Sequence, residues 1–95
     1  MRLISQHGNV DVPYDNVSLI HKGSEIVAIT CHETPNGVYE FTMGKYSTNE
    51  KAYKVMEMVR EDYLKIMRIE NGSSIQGLYD IPKVFIFPKD EDVEV

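Results

Sequence analysis

Between Ser47 and Met67 the apolar residues Ala52, Val55, Met56, Val59, Tyr63, Ile66 and Met67 recur at spacings of three and four. An α-helix brings such a series onto one side, because it completes a turn in about 3.6 residues. The spacing therefore predicts one long amphipathic helix. Ser47-Thr48-Asn49-Glu50 has the form of a capping box. In that motif the Ser47 hydroxyl accepts the Glu50 backbone N–H and the Glu50 carboxylate reaches back. Glu50–Lys54 and Glu61–Lys65 stand four apart with the acid first, the favoured order for helix pairs. Asn71-Gly72 supplies a stop. A helix with one apolar stripe must bury it, and the rest of the chain has to provide the surface.

That surface reads as strands. Arg2 to Gln6 is short and partly apolar, and His7-Gly8-Asn9 carries turn chemistry. Val10 to Tyr14 alternates apolar and polar. Pro13 cannot donate to a ladder, which places this strand at an edge or ends it there. Val17 to His21 and Glu25 to His32 flank the turn Lys22-Gly23-Ser24, and the second run is rich in β-branched residues. Thr34-Pro35-Asn36-Gly37 is a turn by its Pro and Asn-Gly content. It leads into Val38 to Tyr46, where Tyr39, Phe41 and Met43 should share one face. Ser73 to Pro82 reads as a connection, and Lys83 to Phe87 as the last strand. The expected fold is α+β, in the order β-β-β-β-β-α-β. One long helix is packed on one face of a mostly antiparallel sheet, since short turns join antiparallel neighbours.

The length of 95 residues gives one domain, here taken as 1–95 with a short acidic, solvating tail at about 89–95. Fifteen acidic residues against ten basic ones leave a net charge of −5, and the basic residues are spread singly. Phosphate affinity comes from clustered Lys and Arg, so direct nucleic-acid binding is disfavoured. A single cysteine, Cys31, forms no intrachain disulfide. The first residues lack the apolar run of a signal peptide, and no segment has the length to cross a bilayer. The expected compartment is a cytoplasm.

No pattern selects a reaction. Cys31-His32-Glu33 contains a nucleophile, a base and a carboxylate, but neighbours in a strand point to opposite faces. Cys31 is in phase with Val27 and Ile29, and reads as a small core residue. His7, His21 and His32 show no metal-ligand spacing. Asp11 and Asp15 flank Pro13-Tyr14 and read as a solvent-face residue and a turn residue. Neither a P-loop nor a dinucleotide fingerprint occurs. The expectation is a protein without catalytic residues, cofactor or metal, and not an enzyme.

Binding surfaces leave more trace. The chain has six tyrosines and no tryptophan. Tyrosine joins an apolar body to a polar tip, which suits interfaces. Tyr53, Met58 and Leu64 lie off the main helix stripe. In the last strand Val84, Phe85, Ile86 and Phe87 leave neither face polar, so the strand is either central or meets another subunit. Tyr53, Met58, Leu64, Phe85 and Phe87 together form the expected interaction surface.

Three stretches resemble a group of small uncharacterised proteins of Firmicutes and their phages. They are Met1-Arg2-Leu3-Ile4-Ser5-Gln6 with Gly8 and Asp11-Val12-Pro13-Tyr14; Tyr46-Ser47-Thr48-Asn49-Glu50-Lys51-Ala52 running into Val55-Met56-Glu57-Met58; and Val84-Phe85 with Phe87-Pro88. The resemblance implies a phage, prophage or mobile-element setting and carries over no site residue. The expected function is a non-enzymatic interaction protein, acting as inhibitor or accessory factor on a host or phage protein, with self-association into a homo-oligomer. The alternative is a sponge for a small nucleotide signal, whose mark would be positive charge clustered in a cleft. A small enzyme ranks third.

Overall fold

Helix α1 spans Asn49–Glu70, as the periodicity predicts. The computed structural model describes residues 1–30, 35, 37–70 and 84–95, with 66–70 described by backbone alone. Cys31-His32-Glu33, Thr34, Asn36, the Asn71-Gly72 stop, the Ser73–Pro82 connection with Tyr79, Lys83, and the Ile66 and Met67 side chains lie outside that description.

The cap of α1 sits one residue later than the capping box suggested. Thr48 Oγ1 accepts the Lys51 N–H at 3.1 Å, and the Thr48 carbonyl accepts the Ala52 N–H at 3.3 Å. Lys51 has no acceptor with which to reciprocate, so a box cannot close. Ser47 instead gives its backbone N–H to the Asp90 carboxylate at 2.7 Å. An acid from the far end of the chain thus sits at the positive end of the helix dipole.

Five strands precede the helix: β1 Arg2–Ile4, β2 Asp11–Pro13, β3 Val17–Lys22, β4 Glu25–Thr30 and β5 Glu40–Lys45. A sixth, β6 Val84–Ile86, follows it, so the chain is α+β in the expected order. The strands form two three-stranded sheets, β2-β1-β6 and β3-β4-β5, where one sheet was expected. The split falls at Pro13, which ends β2, and at the 3-10 turn Tyr14–Asn16, which redirects the chain before β3. All pairs joined by short turns are antiparallel; β1 and β6, separated by the helix, pair in parallel.

Both sheets and the helix share one core. Leu3, Phe85 and Phe87 come from the first sheet and its continuation, and Ile26, Ala28 and Met43 from the second. Ala52, Val55 and Val59 come from α1. Each large side chain of this kind contributes about 1.5–3 kcal/mol by leaving water. Gln6 ties the sheets together, its backbone N–H donating to the Met43 carbonyl at 2.7 Å.

Two expectations are corrected here, and one is refined. Tyr39 and Phe41 share a face, with their rings stacked at 6.3 Å, but burial deepens along the strand: Tyr39 is exposed, Phe41 half-buried and Met43 fully buried. A register shift between Ile26 and Val27 places Gly44 opposite Ile26 and Thr42 opposite Val27. Strict alternation from Met43 would have buried Lys45; the bulge turns Lys45 out and Tyr46 in. Phe85 and Phe87 are 5% and 1% exposed, because one face of the last strand enters the core while Val84 and Ile86 face outward at its edge. Finally, the acidic tail is docked as far as Val93. Val93 is buried, Asp90 holds Ser47, and the Pro88 carbonyl accepts the Tyr46 hydroxyl at 2.9 Å.

Candidate functional site

The ladder between β3 and β4 fixes which backbone groups of β3 remain available. Thr30 donates its N–H to Tyr39, so Thr30, Ala28 and Ile26 turn their backbone groups toward β5. Antiparallel ladders alternate, so Ile29, Val27 and Glu25 turn toward β3 and bond Ser18, Ile20 and Lys22. Val17, Leu19 and His21 therefore turn their N–H and C=O to the side away from β4. Among the described residues β3 pairs with β4 alone. The strand has six residues, no proline and no register shift. These are the devices that usually blunt an edge, and only Lys22, at its end, is charged.

Helix α1 runs beside this edge in the opposite sense. Tyr14, Val17 and Leu19 face Met56, Val59 and Arg60 across a cleft of about 350 Å³. Farther along, His21 faces Asn49, Glu50, Tyr53 and Lys54 across a second, mostly apolar depression of about 420 Å³. An α-helix turns about 100° per residue, which puts Tyr53, Arg60 and Leu64 within about 20° of one line. Tyr53 and Leu64 are 55% and 48% exposed. One flank of α1 and one strand edge thus bound two clefts in line.

Tyr14 closes the upper end. Its ring stacks on Tyr63 with centroids 4.4 Å apart. Burial raises the Tyr14 phenol pKa, with Tyr63 and Asp15 adding to the effect and Arg60 opposing it. The hydroxyl therefore stays protonated, as a donor at the mouth of the cleft. On the reverse side of the sheet, Lys22 and Glu40 form an ion pair of 2.8 Å. Their register partners, Glu25 and Ile29, bracket Val27 on β4, so the pair spans the strand over a Val27 that is fully buried.

The structure separates the expected interaction residues. Tyr53 and Leu64 belong to this flank of α1. Met58 lies about 140° around the helix from Tyr53 and packs against the core on the other side. Phe85 and Phe87 are core residues. The edge of β3 was not singled out from sequence. The available signal was a short, partly apolar run without proline and with its one formal charge at the end, but which strand ends a sheet is a tertiary property.

Other sites give less. Among the described residues no group of three or more His, Cys, Asp or Glu could hold a metal, and no helix is long and apolar enough to cross a membrane. Asp11 is exposed and bridged to Arg2 at 2.8 Å, and His7 and His21 are exposed. A third cleft, of about 410 Å³, lies between the β1–β2 turn and β5, with Lys45, Glu40 and His7 on its walls. A fourth, smaller one is lined by Lys89 between Asp90 and Glu91 of the tail, with Gln6 and His7. Comparison with protein-family models, with curated proteins and with solved structures gives no match to this chain.

Proposed function

We propose that this chain is a non-enzymatic interaction protein that takes up an extended polypeptide segment as an additional strand on β3, with side chains of that segment lodged against the flank of α1. The observation that carries the reading is the unblunted six-residue edge lying beside the Tyr53–Met56–Arg60 flank. Strand addition draws affinity from main-chain bonds and specificity from pockets that take alternate side chains. Val17, Leu19 and His21 supply the first, and the two clefts the second. The phage or prophage setting implied by the resemblance, with a cytoplasmic compartment, goes with an accessory or inhibitory role on a host or phage protein. A nucleotide-signal sponge has weaker support. Each of the four clefts is lined by one Lys or Arg, and in three of them an acid stands beside it.

Selection from a displayed library of short random peptides tests the reading. The bait is the whole chain, and the counter-bait is its His21→Pro variant. That substitution deletes an outward-facing N–H without removing a bond to β4. Enrichment of alternating apolar sequences on the wild type alone is expected. Equal enrichment on both baits would overturn the proposal.

A further inference from the structure

Resting on that reading of the β3 edge, we infer that the segment it takes up is β3 of a second copy of this chain. The two copies pair antiparallel about a twofold axis at Leu19. Leu19 then meets its own copy, and Val17 meets the copy's His21 and the reverse. All three residues with outward backbone groups are satisfied reciprocally, and two three-stranded sheets become one continuous sheet. Ser18 falls opposite Ile20, which covers an exposed apolar side chain with a small one. Lys22 falls opposite Asn16 and next to Asp15, so no like charges meet.

The helix flank carries the second half of the argument. Because α1 runs opposite to β3, the same axis brings the Asn49–Glu50 end of one flank to the Arg60–Leu64 end of the other. Among the described residues neither Glu50 nor Arg60 has an ion-pair partner, although six other pairs form. These two charges are opposite in sign and stand at opposite ends of the flank. Twofold pairing matches them twice, with Tyr53 placed beside Arg60 of the copy for a cation–π contact. A foreign strand would have to bring its own carboxylate to Arg60; a second copy already has one.

Sedimentation velocity of the full chain, from micromolar to millimolar concentration, tests this inference. A mass of two chains is expected. Arg60→Glu should weaken the dimer about tenfold or more, and the Glu50→Arg/Arg60→Glu double variant should restore it, because opposite charges across an interface attract and like charges repel. His21→Pro should weaken it without help from charge. Arg60→Glu changes one exposed side chain, so its thermal midpoint checks that the fold is intact. A monomer at all concentrations, or a dimer indifferent to these changes, would refute the inference. If the wild type is monomeric yet still selects peptides that His21→Pro does not, the second copy is excluded and strand addition stands. If selection fails as well, both fall.

Discussion

The side-chain amide of Gln6 pairs with the backbone of Lys45 as a neighbouring strand would. The Lys45 N–H donates to Gln6 Oε1 at 3.0 Å, and Gln6 Nε2 donates back to the Lys45 carbonyl at 3.2 Å. The same Nε2 donates to the Pro88 carbonyl at 3.1 Å. One side chain thus closes the last stretch of the β5 edge and anchors the chain beyond β6. The two outer strands of the β3-β4-β5 sheet differ in this respect: among the described residues the end of β5 is covered from within, and β3 pairs with β4 alone.

Gln6→Ala removes three hydrogen bonds and leaves the Lys45 N–H and carbonyl to water, while the Pro88 carbonyl keeps the Tyr46 hydroxyl. A net loss of about 1–3 kcal/mol is expected, since each such bond nets about 1 kcal/mol and two are partly exposed. Gln6→Glu should cost at least as much, because a carboxylate accepts from Lys45 but donates to neither carbonyl. Urea unfolding measures both. If Gln6→Glu proved neutral, the side chain would not be acting as a strand mimic.

Gly44 is required for a different reason. A Cβ at this position would stand 2.7–3.0 Å from the ring and hydroxyl of Tyr46. Tyr46 cannot step aside, because it is buried and its hydroxyl is bonded to Pro88. Gly44→Ala is expected to destabilise the fold by about 1–3 kcal/mol through overpacking. In a Tyr46→Ala background the penalty should vanish, and a double-mutant cycle reads that coupling directly. An unchanged penalty would place the cause in the backbone rather than in the ring.

What the sequence made legible was local. The helix, the tight β3–β4 turn and the α+β order follow from periodicity and turn chemistry, which act over a few residues. The misplaced elements depend on partners far along the chain. Nothing near Ser47 says that Asp90 arrives to take its N–H and leaves Thr48 to cap. Nothing near Met43 says that a bulge will let Tyr46 rather than Lys45 turn inward. Four apolar residues in a row concealed which two enter the core, because the pleat tells that alternate residues go in but not which set. The helix lysines show the same limit: Lys54 and Lys65 choose Glu57 and Asp62, three residues away, over the acids four residues earlier. Such surface pairs differ by only a few tenths of a kcal/mol, so spacing alone does not decide between them.

The Asp90 contact makes the tail sensitive to acid. The Ser47 backbone N–H is the main cause that holds the Asp90 carboxyl below the ordinary aspartate range, with the Ser47 side chain and Lys51 contributing and desolvation opposing. A lowered pKa in the folded state stabilises the fold above the unfolded-state value, and that stability is lost as pH falls through the folded one. Asp90→Asn should therefore lie below wild type in thermal midpoint at neutral pH, and the gap should close on acidification below the aspartate range. Midpoints measured as a function of pH test this. A gap that stays constant down to strong acid would mean that the carboxylate charge does not hold the tail.

The two faces of the last strand make opposite predictions for adjacent residues. Phe87 is 1% exposed and meets Phe85 edge-on with centroids 5.2 Å apart, whereas Ile86 is 61% exposed. Phe87→Ala removes a buried ring and leaves a cavity, and should cost about 3–5 kcal/mol. Ile86→Ala removes a side chain already in water and should change stability by about 0.5 kcal/mol or less. Denaturant unfolding of both variants at low protein concentration separates them. A large loss at Ile86 would show that this face is covered after all, and the core boundary drawn through the strand would have to move. A small loss at Phe87 would return the ring to the pool of residues free to recognise a partner. With the expected contrast, the proposed recognition would fall to residues such as Tyr53 and Arg60, which are exposed on the flank of α1 and give up no core packing to serve there.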